Sequence, residues 1–210
     1  MRKLAWGSFS TQGRSAVSNT TYGLVVEGPR DKVMYEALIP RICGTTLSFR
    51  TRVCNGVSEL KKKFPVFLRN LETVLQGRPV EKVIVIRDSG GKDPTALQTE
   101  MAARIQGMEY AFPRGIKLCA VRRTMETWLL ADAQAITDVA RARGGRQVQE
   151  VQGTLEDIED PKQTLRSVLS DARIEYTDVL CAEIAVLLRI DRLENRCLSF
   201  RTFKQNVIDC

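Results

Sequence analysis

The sequence predicts an α/β fold, in which a mostly parallel four-stranded sheet lies between helices and a helical extension follows it. Three observations predict this fold. Short apolar segments alternate four times with segments of helical periodicity, as in parallel sheets covered on both faces. The third apolar segment, KVIVIRD at 82–88, has the continuous apolar run of a strand buried on both faces. Beyond about residue 135 the strand signals stop and helical patterns remain.

The four predicted strands are short, apolar or β-branched, and bounded by turn residues. They cover 22–28, 45–53, 82–88 and 116–121. The helix predicted after the first strand, over 30–42, carries Met34, Leu38 and Ile42 on one face.

The next predicted helix, over 57–75, contains Pro65, which should kink or restart it. Asp93 and Pro94 have the residue types of an N-cap and first helical position for the third helix. A fourth helix is predicted to begin near Thr124.

Three segments are predicted along the chain. Residues 1–20, rich in Ser, Thr, Gly and Asn, should form a loose tail, residues 21–135 the α/β core, and residues 136–210 a helical extension packed on that core. The extension should contain a loose loop at 144–156 and one apolar helical stretch at 178–193.

Composition excludes several kinds of site. The chain has no histidine, which excludes Ser-His-Asp and Cys-His catalysis and every histidine-ligated zinc site. Its six cysteines are widely spaced with no CxxC pair, so we expect reduced thiols and no cysteine metal site. The net charge of +7 is consistent with a polyanionic partner, and equally with a basic solvated surface.

Neither a secretory signal nor a membrane-spanning apolar run is evident in the sequence. We therefore expect a cytoplasmic protein that makes no membrane contact.

Acidic residues follow three of the four predicted strands. Glu27 closes the first, Asp88 closes the third, and Glu126 lies just past the fourth. Ligands of open parallel sheets bind beyond the carboxyl ends of the strands, and carboxylates gathered there repel one another unless a cation lies between them. Each acid also has a structural explanation: Glu27 and Asp93 as helix caps, Asp88 as a turn residue, and Glu126 as a helix-dipole partner or ion-pair partner.

Several segments together resemble the Toprim domain of topoisomerases, bacterial primases and overcoming-lysogenization-defect nucleases. The resemblance is closer to a Toprim-like (Rossmann-like) bacterial family of unknown function, often encoded beside an AAA-type ATPase. The segments that carry it are VVEGPRDKVMYEALIPRI (25–42), VIVIRDSGGKD (83–93), ETWLLAD (126–132) and YTDVLCAEIAVLLRIDRLENRCLSFRTFKQNV (176–207).

The resemblance implies a Mg²⁺ or Mn²⁺ site with Glu27 and Asp88 as catalytic residues and metal ligands. The second acid of the Toprim pair would fall at Gly90, so Asp93 or Glu126 should supply the third carboxylate, and we favour Glu126 because Asp93 is explained as a cap. Contacts to phosphate or nucleic acid are expected from Arg30, Arg87, Gly90, Lys92 and Arg122.

Two functions remain open from the sequence. The first is a metal-dependent nuclease, which by the resemblance would be the effector of an ATPase-controlled phage defence system. The second is a catalytically weak or inactive Toprim-like subunit that binds a partner ATPase or nucleic acid. A phosphoryl-transfer domain of receiver type is a weaker alternative, because it would need paired acids after the first strand. The apolar residues of 176–207 should leave a surface for a subunit contact, first with a second copy of the chain.

Overall fold

The computed structural model describes residues 20–73 and 78–209. Within them, four parallel strands form one sheet in the order β2-β1-β3-β4. The strands are β1 (Thr21–Val26), β2 (Ser48–Val53), β3 (Lys82–Asp88) and β4 (Ile116–Val121). This confirms the predicted α/β fold, including the pairing of the first strand with the third. Residues 1–19 of the predicted loose tail (1–20) and the predicted end of the second helix lie outside the described residues.

Helices connect the strands as the sequence predicts. They are α1 (Pro29–Cys43), α2 (Val57–Glu72), α3 (Pro94–Ile105) and the single turn α4 (Glu126–Leu129). Of the two effects predicted for Pro65, a kink or a restart, the restart is wrong, because α2 continues through the proline. The buried residues Phe64 and Leu68 lie on either side of the proline and hold both halves of the helix against the sheet.

The sheet separates two apolar cores. Alternate residues of a strand point to opposite faces, so Ile84 and Ile86 of β3 join one core while Val83 and Val85 join the other. The first core includes α1 and the helices of the C-terminal half, and the second includes α2 and α3. This alternation also decides which charged side chains can meet at the end of β3.

The C-terminal half of the chain is helical apart from its connections. It contains α5 (Ala133–Ala142), a 3₁₀ turn (Leu155–Asp157), α6 (Pro161–Asp171), α7 (Asp178–Leu187), α8 (Ile190–Arg196) and α9 (Leu198–Ile208). Helix α7 packs on α1, and α9 packs on β4. Trp128 joins the two halves, since its ring packs edge-on against Phe200 and Tyr35, with ring centroids 5.1 and 6.1 Å away.

The prediction of one helical stretch over 178–193 is wrong. The stretch breaks between α7 and α8 at Arg189, whose backbone N–H and guanidinium both bind the carboxylate of Asp132 at 2.6–2.9 Å. Asp132 is fully buried and also accepts the backbone N–H of Ala135 at the start of α5. One carboxylate therefore fixes both the start of α5 and the turn between α7 and α8.

The segment predicted as a loose loop at 144–156 has no helix or strand before the 3₁₀ turn and is mostly exposed, but it is anchored to the core at two points. Val148 and Leu155 are buried, and the Val148 backbone N–H donates to Thr137 Oγ1 at 3.0 Å. Two apolar anchors and a hydrogen bond to α5 hold this segment to the core.

The described cysteines have free thiols, and four of the five are buried; Cys210 lies outside the described residues. In the ranges 20–73 and 78–209 no helix combines the length and apolar character that crossing a membrane requires.

We predict that Asp132→Ala lowers the free energy of unfolding by about 1.5–3 kcal/mol, because it leaves buried backbone donors without their charged acceptor. The matched control is Asp138→Ala on the exposed face of the same helix, which should change stability by less than about 0.5 kcal/mol. Urea unfolding followed by circular dichroism measures both. Equal effects of the two substitutions would contradict the role given to Asp132.

Candidate active site

The strand order reverses between β1 and β3. The chain leaves β1 towards β2 on one side and leaves β3 towards β4 on the other. In an open α/β sheet, the carboxyl ends of two such strands border a crevice in which ligands bind. Glu27 follows β1 directly and Asp88 is the last residue of β3, so both acids lie at this reversal.

A cavity of about 440 Å³ lies at the reversal. Its lining combines the strand ends, the starts of α1 and α4, the β2–α2 turn and two residues of the helical extension. The lining residues are Glu27, Gly28, Pro29, Arg30, Asp31, Cys54, Asn55, Gly56, Asp88, Thr124, Glu126, Lys162 and Asp178.

Glu27 and Asp88 are in direct contact. Glu27 Oε1 accepts the backbone N–H of Asp88 at 3.0 Å, and both side chains are half-buried. The carboxylate of Glu27 is thus held against the end of the neighbouring strand. Glu27 does not cap α1, whose N-cap is Gly28.

Asp31 and Glu126 bring two further carboxyl groups to the cavity. Asp31, in the first turn of α1, reaches back to accept the Gly28 backbone N–H at 2.8 Å. Glu126 is buried, and its Oε1 accepts the hydroxyl of Tyr176 at 2.5 Å. The structure therefore brings Glu27, Asp88 and Glu126 together, as the sequence predicts, and adds Asp31.

Arg30 closes one side of the cavity. Its Nε donates to Asp178 Oδ1 and its Nη1 donates to the Tyr176 hydroxyl, both at 2.7 Å. Glu126 Oε1 lies 3.7 Å from the same guanidinium. This network connects α1 and α4 of the core to Tyr176 and Asp178 of the extension.

Negative charge dominates the cavity. Five carboxyl groups and two cations line it. Burial raises the pKa of Asp31 to about 7, and the charge of Glu27 adds to the rise. Burial, followed by the charges of Asp31 and Glu27, raises the pKa of Asp88 well above its usual range. Both carboxyl groups therefore bind a proton more tightly than a free aspartate does, unless a cation compensates their charge.

The donor chemistry of this cavity suits a hard divalent cation, since Mg²⁺ prefers oxygen ligands and commonly takes one or two carboxylates with substrate phosphate and water. Across residues 20–73 and 78–209, no three carboxyl or thiol groups are arranged as ligands of one ion. Glu27, Asp31 and Glu126 each accept a hydrogen bond from another group of the chain. The Asp88 carboxylate also receives a backbone hydrogen bond, from Met125. Glu27 and Asp88 offer oxygen ligands to the same cavity, and a site with three of these carboxyl groups would need side-chain rotation.

Asp93 does not reach the cavity. Its carboxylate accepts the backbone N–H groups of Thr95 and Ala96 and caps α3, as the sequence predicts for a cap. The Asp93 carboxylate therefore binds the start of α3 and lies away from the other candidate metal ligands.

Most of the expected phosphate contacts also lie elsewhere. Arg87 is buried on the opposite face of the sheet from Asp88, because adjacent strand residues alternate, and it pairs with Glu100 of α3 at 3.2 Å. Lys92 is exposed outside the cavity lining. Arg122 is exposed too, and its guanidinium lies 3.5 Å from Asp157. Of the expected contacts, only Arg30 lines the cavity.

Gly90 and Gly91 have positive φ angles of 56° and 89°, which few other residues adopt without strain. They do not line the cavity. The turn instead docks on the chain leaving β4: the Gly90 backbone N–H donates to the Arg123 carbonyl at 3.0 Å, and a Cβ on Gly91 would lie 2.8 Å from the Arg123 guanidinium. The two glycines therefore allow the turn to pack against Arg123. They lie outside the cavity in which their backbone was expected to contact a phosphate.

Sequence reasoning missed five cavity residues with polar side chains: Asp31, Asn55, Thr124, Lys162 and Asp178. Asp31 had a usable signal, because an acid in the first turn of a helix that begins at a strand end must lie at that same edge of the sheet. Lys162 and Asp178 had none, since their position depends on how the extension docks.

We predict that stability depends on pH through Asp31. A carboxyl whose pKa is raised by folding binds its proton more tightly when folded, so its stabilising effect is present at low pH and is lost as the pH rises through about 7. Between pH 5 and pH 8, the wild type should lose roughly 1–3 kcal/mol more unfolding free energy than Asp31→Asn, which keeps the acceptor for the Gly28 N–H. Urea unfolding of both chains at the two pH values measures this difference. Parallel pH profiles would contradict it.

Comparison with known proteins gives one match. No curated protein and no solved structure matches the chain. The family model described as "Domain of unknown function (DUF4276)" matches residues 26–208, a range that contains all the lining residues of the cavity. The chain therefore belongs to the DUF4276 family.

Proposed function

We propose that the chain is a Mg²⁺- or Mn²⁺-dependent phosphodiester hydrolase that cleaves nucleic acid, with the chemistry of a Toprim nuclease. The observation that carries this proposal is the cavity at the strand reversal, where five carboxyl groups face two cations. A phosphodiester is an anion, and such a cavity repels it unless a cation compensates the carboxylates. A divalent cation is the compensating group that the oxygen ligands suit.

Glu27 and Asp88 are the proposed metal ligands. A divalent ion bound there would lower the pKa of a bound water and stabilise negative charge on the phosphate. Glu27 is already held against the end of β3 by the Asp88 backbone N–H, so both ligands come from rigid strand ends.

Asp31 and Glu126 are suited to different tasks. Asp31, with its pKa near 7, can take up or release a proton at neutral pH. Glu126 is oriented by the Tyr176 hydroxyl and can add a third carboxylate on side-chain rotation. By resemblance, this nuclease would act as the effector of a phage defence system under the control of an AAA-type ATPase encoded nearby.

A second candidate is an inactive Toprim-like subunit that binds a partner. Two observations favour it: position 90 is glycine where the Toprim pattern has its second acid, and the described carboxyl groups do not form a three-ligand metal site. Helix α7 also exposes Val179 and Val186, at 62% and 54% of their surface. These two valines are seven residues apart and therefore lie on one face of the helix.

For the nuclease, we predict that Glu27→Gln and Asp88→Asn each reduce metal-dependent cleavage at least about 100-fold, because each removes a charged ligand. The matched control is Asp93→Asn, which keeps a good N-cap outside the cavity and should cleave like the wild type. Single- and double-stranded DNA and RNA are incubated with each chain in Mg²⁺, Mn²⁺ or EDTA, with and without the neighbouring ATPase. Undiminished cleavage by both cavity variants would reject the metal site.

For the partner surface, we predict that the chain forms a dimer through the exposed face of α7. The double substitution Val179→Glu and Val186→Glu should make it monomeric, since charges on both sides of the contact would repel and lose their hydration. Val66→Glu is the matched control, because Val66 is 57% exposed on α2. Light scattering measures the mass of each chain. A monomeric wild type would contradict the prediction.

A further inference from the structure

The helical extension places a lysine in the wall of the cavity. Lys162 is the second residue of α6, is half-buried, and lines the cavity together with Glu27 and Asp88 at the sheet edge. Among the lining residues, Arg30 is the other cation. The core supplies one cation and the extension supplies the other.

The two cations differ in what they already bind. Arg30 is neutralised by Asp178, with a closest nitrogen–oxygen distance of 2.5 Å, and its face packs over the Tyr176 ring at 4.5 Å. Within residues 20–73 and 78–209, Lys162 forms no ion pair. Lys162 is therefore the lining cation whose ammonium group is available to an anion.

Helix stability does not explain why a lysine occupies this position. The first turn of a helix carries partial positive charge, which disfavours a cation there. The start of α6 is already capped by Asp160, which accepts the Gln163 backbone N–H at 2.9 Å, and Pro161 occupies its first position. The start of α6 is therefore stabilised without any contribution from Lys162.

Thr124 supplies an independent observation. Thr124 lines the cavity, and its Oγ1 is buried without a hydrogen-bond partner in the part of the chain that is described. Leaving a buried hydroxyl unpaired costs about 1–3 kcal/mol. Rotation of this side chain towards a polar ligand in the cavity would remove that cost, so the hydroxyl is a candidate contact in the same cavity as Lys162.

We propose that Lys162 binds a backbone phosphate of a single nucleic-acid strand, with the Thr124 hydroxyl as a second contact to the same bound strand. The inference rests on the proposed function, because it places the substrate against the carboxylates of the core. It makes the helical extension part of the substrate site, and Lys162 the residue by which the extension holds the strand. A single strand is favoured because a cavity of about 440 Å³ with one half-buried lysine in its wall suits one backbone.

The test is binding in Ca²⁺, a hard cation with oxygen ligands that can compensate the carboxylates, with gel electrophoresis of the probe to show that it stays uncleaved. A fluorescein-labelled single-stranded DNA is titrated with the full chain at several salt concentrations, and fluorescence anisotropy gives the affinity. Lys162→Met should weaken binding about tenfold and lower the salt dependence by about 0.7 on a log–log plot, the change expected for one lost phosphate contact on a single strand. Lys162→Arg should bind within about twofold of the wild type, because it keeps the charge.

The matched control is Lys117→Met. Lys117 is also half-buried, but it lies near the amino end of β4, at the opposite edge of the sheet from the cavity. The Lys117→Met substitution removes the same charge and should change the affinity for DNA less than about twofold. Thermal melting of each variant shows whether its fold is retained.

Three outcomes would overturn the inference: equal weakening by Lys162→Met and Lys117→Met, no weakening by Lys162→Met, or no binding by the wild type. A failure of the proposed nuclease function would give a different result from these three. Absence of cleavage in every metal, with the Lys162 effect intact, would reject the nuclease and leave the phosphate contact standing.

Discussion

The reversal of strand order between β1 and β3 is the constraint on which the rest of the molecule depends. Connections that leave in opposite directions open a crevice at the carboxyl ends of these two strands. Glu27 and Asp88 stand on its two sides, and α1 begins there with Asp31 in its first turn. The strand order and the start of α1 therefore place three carboxyl groups in one small volume. Burial, and then their mutual repulsion, raises the pKa values of Asp31 and Asp88, and the same conditions favour a cation in the cavity.

The helical extension completes both the apolar core and the cavity. Trp128, Phe200 and Tyr35 form one aromatic cluster that fixes the extension against α1. At the cavity, a polar network continues the same contact, since Arg30 of α1 binds Asp178 and Tyr176, and Tyr176 donates to Glu126. Movement of α7 relative to α1 would therefore alter the charge around the carboxylates. A partner that binds the exposed face of α7 could act on the site through this network.

Local sequence patterns predicted the parts of the structure that local chemistry determines. The VIVI run, the Asp93–Pro94 helix start and the acids after β1 and β3 each depend on neighbouring residues, and the structure places them as expected. The errors concern contacts between distant segments. The break at Arg189 depends on Asp132, 57 residues earlier, and the position of Lys162 depends on how α6 docks. Arg87 was misplaced for a simpler reason: strand alternation turns it away from Asp88, and the expectation of a phosphate contact did not use that alternation.

The central claim is that Glu27 and Asp88 hold one divalent ion. Crystals soaked in Mn²⁺, with diffraction recorded at the manganese absorption edge, test it without reference to activity or partner. The account predicts one anomalous peak between the Glu27 and Asp88 carboxylates, at about 2.0–2.3 Å from an oxygen of each. Manganese peaks at other positions, with none between the Glu27 and Asp88 carboxylates, would contradict it.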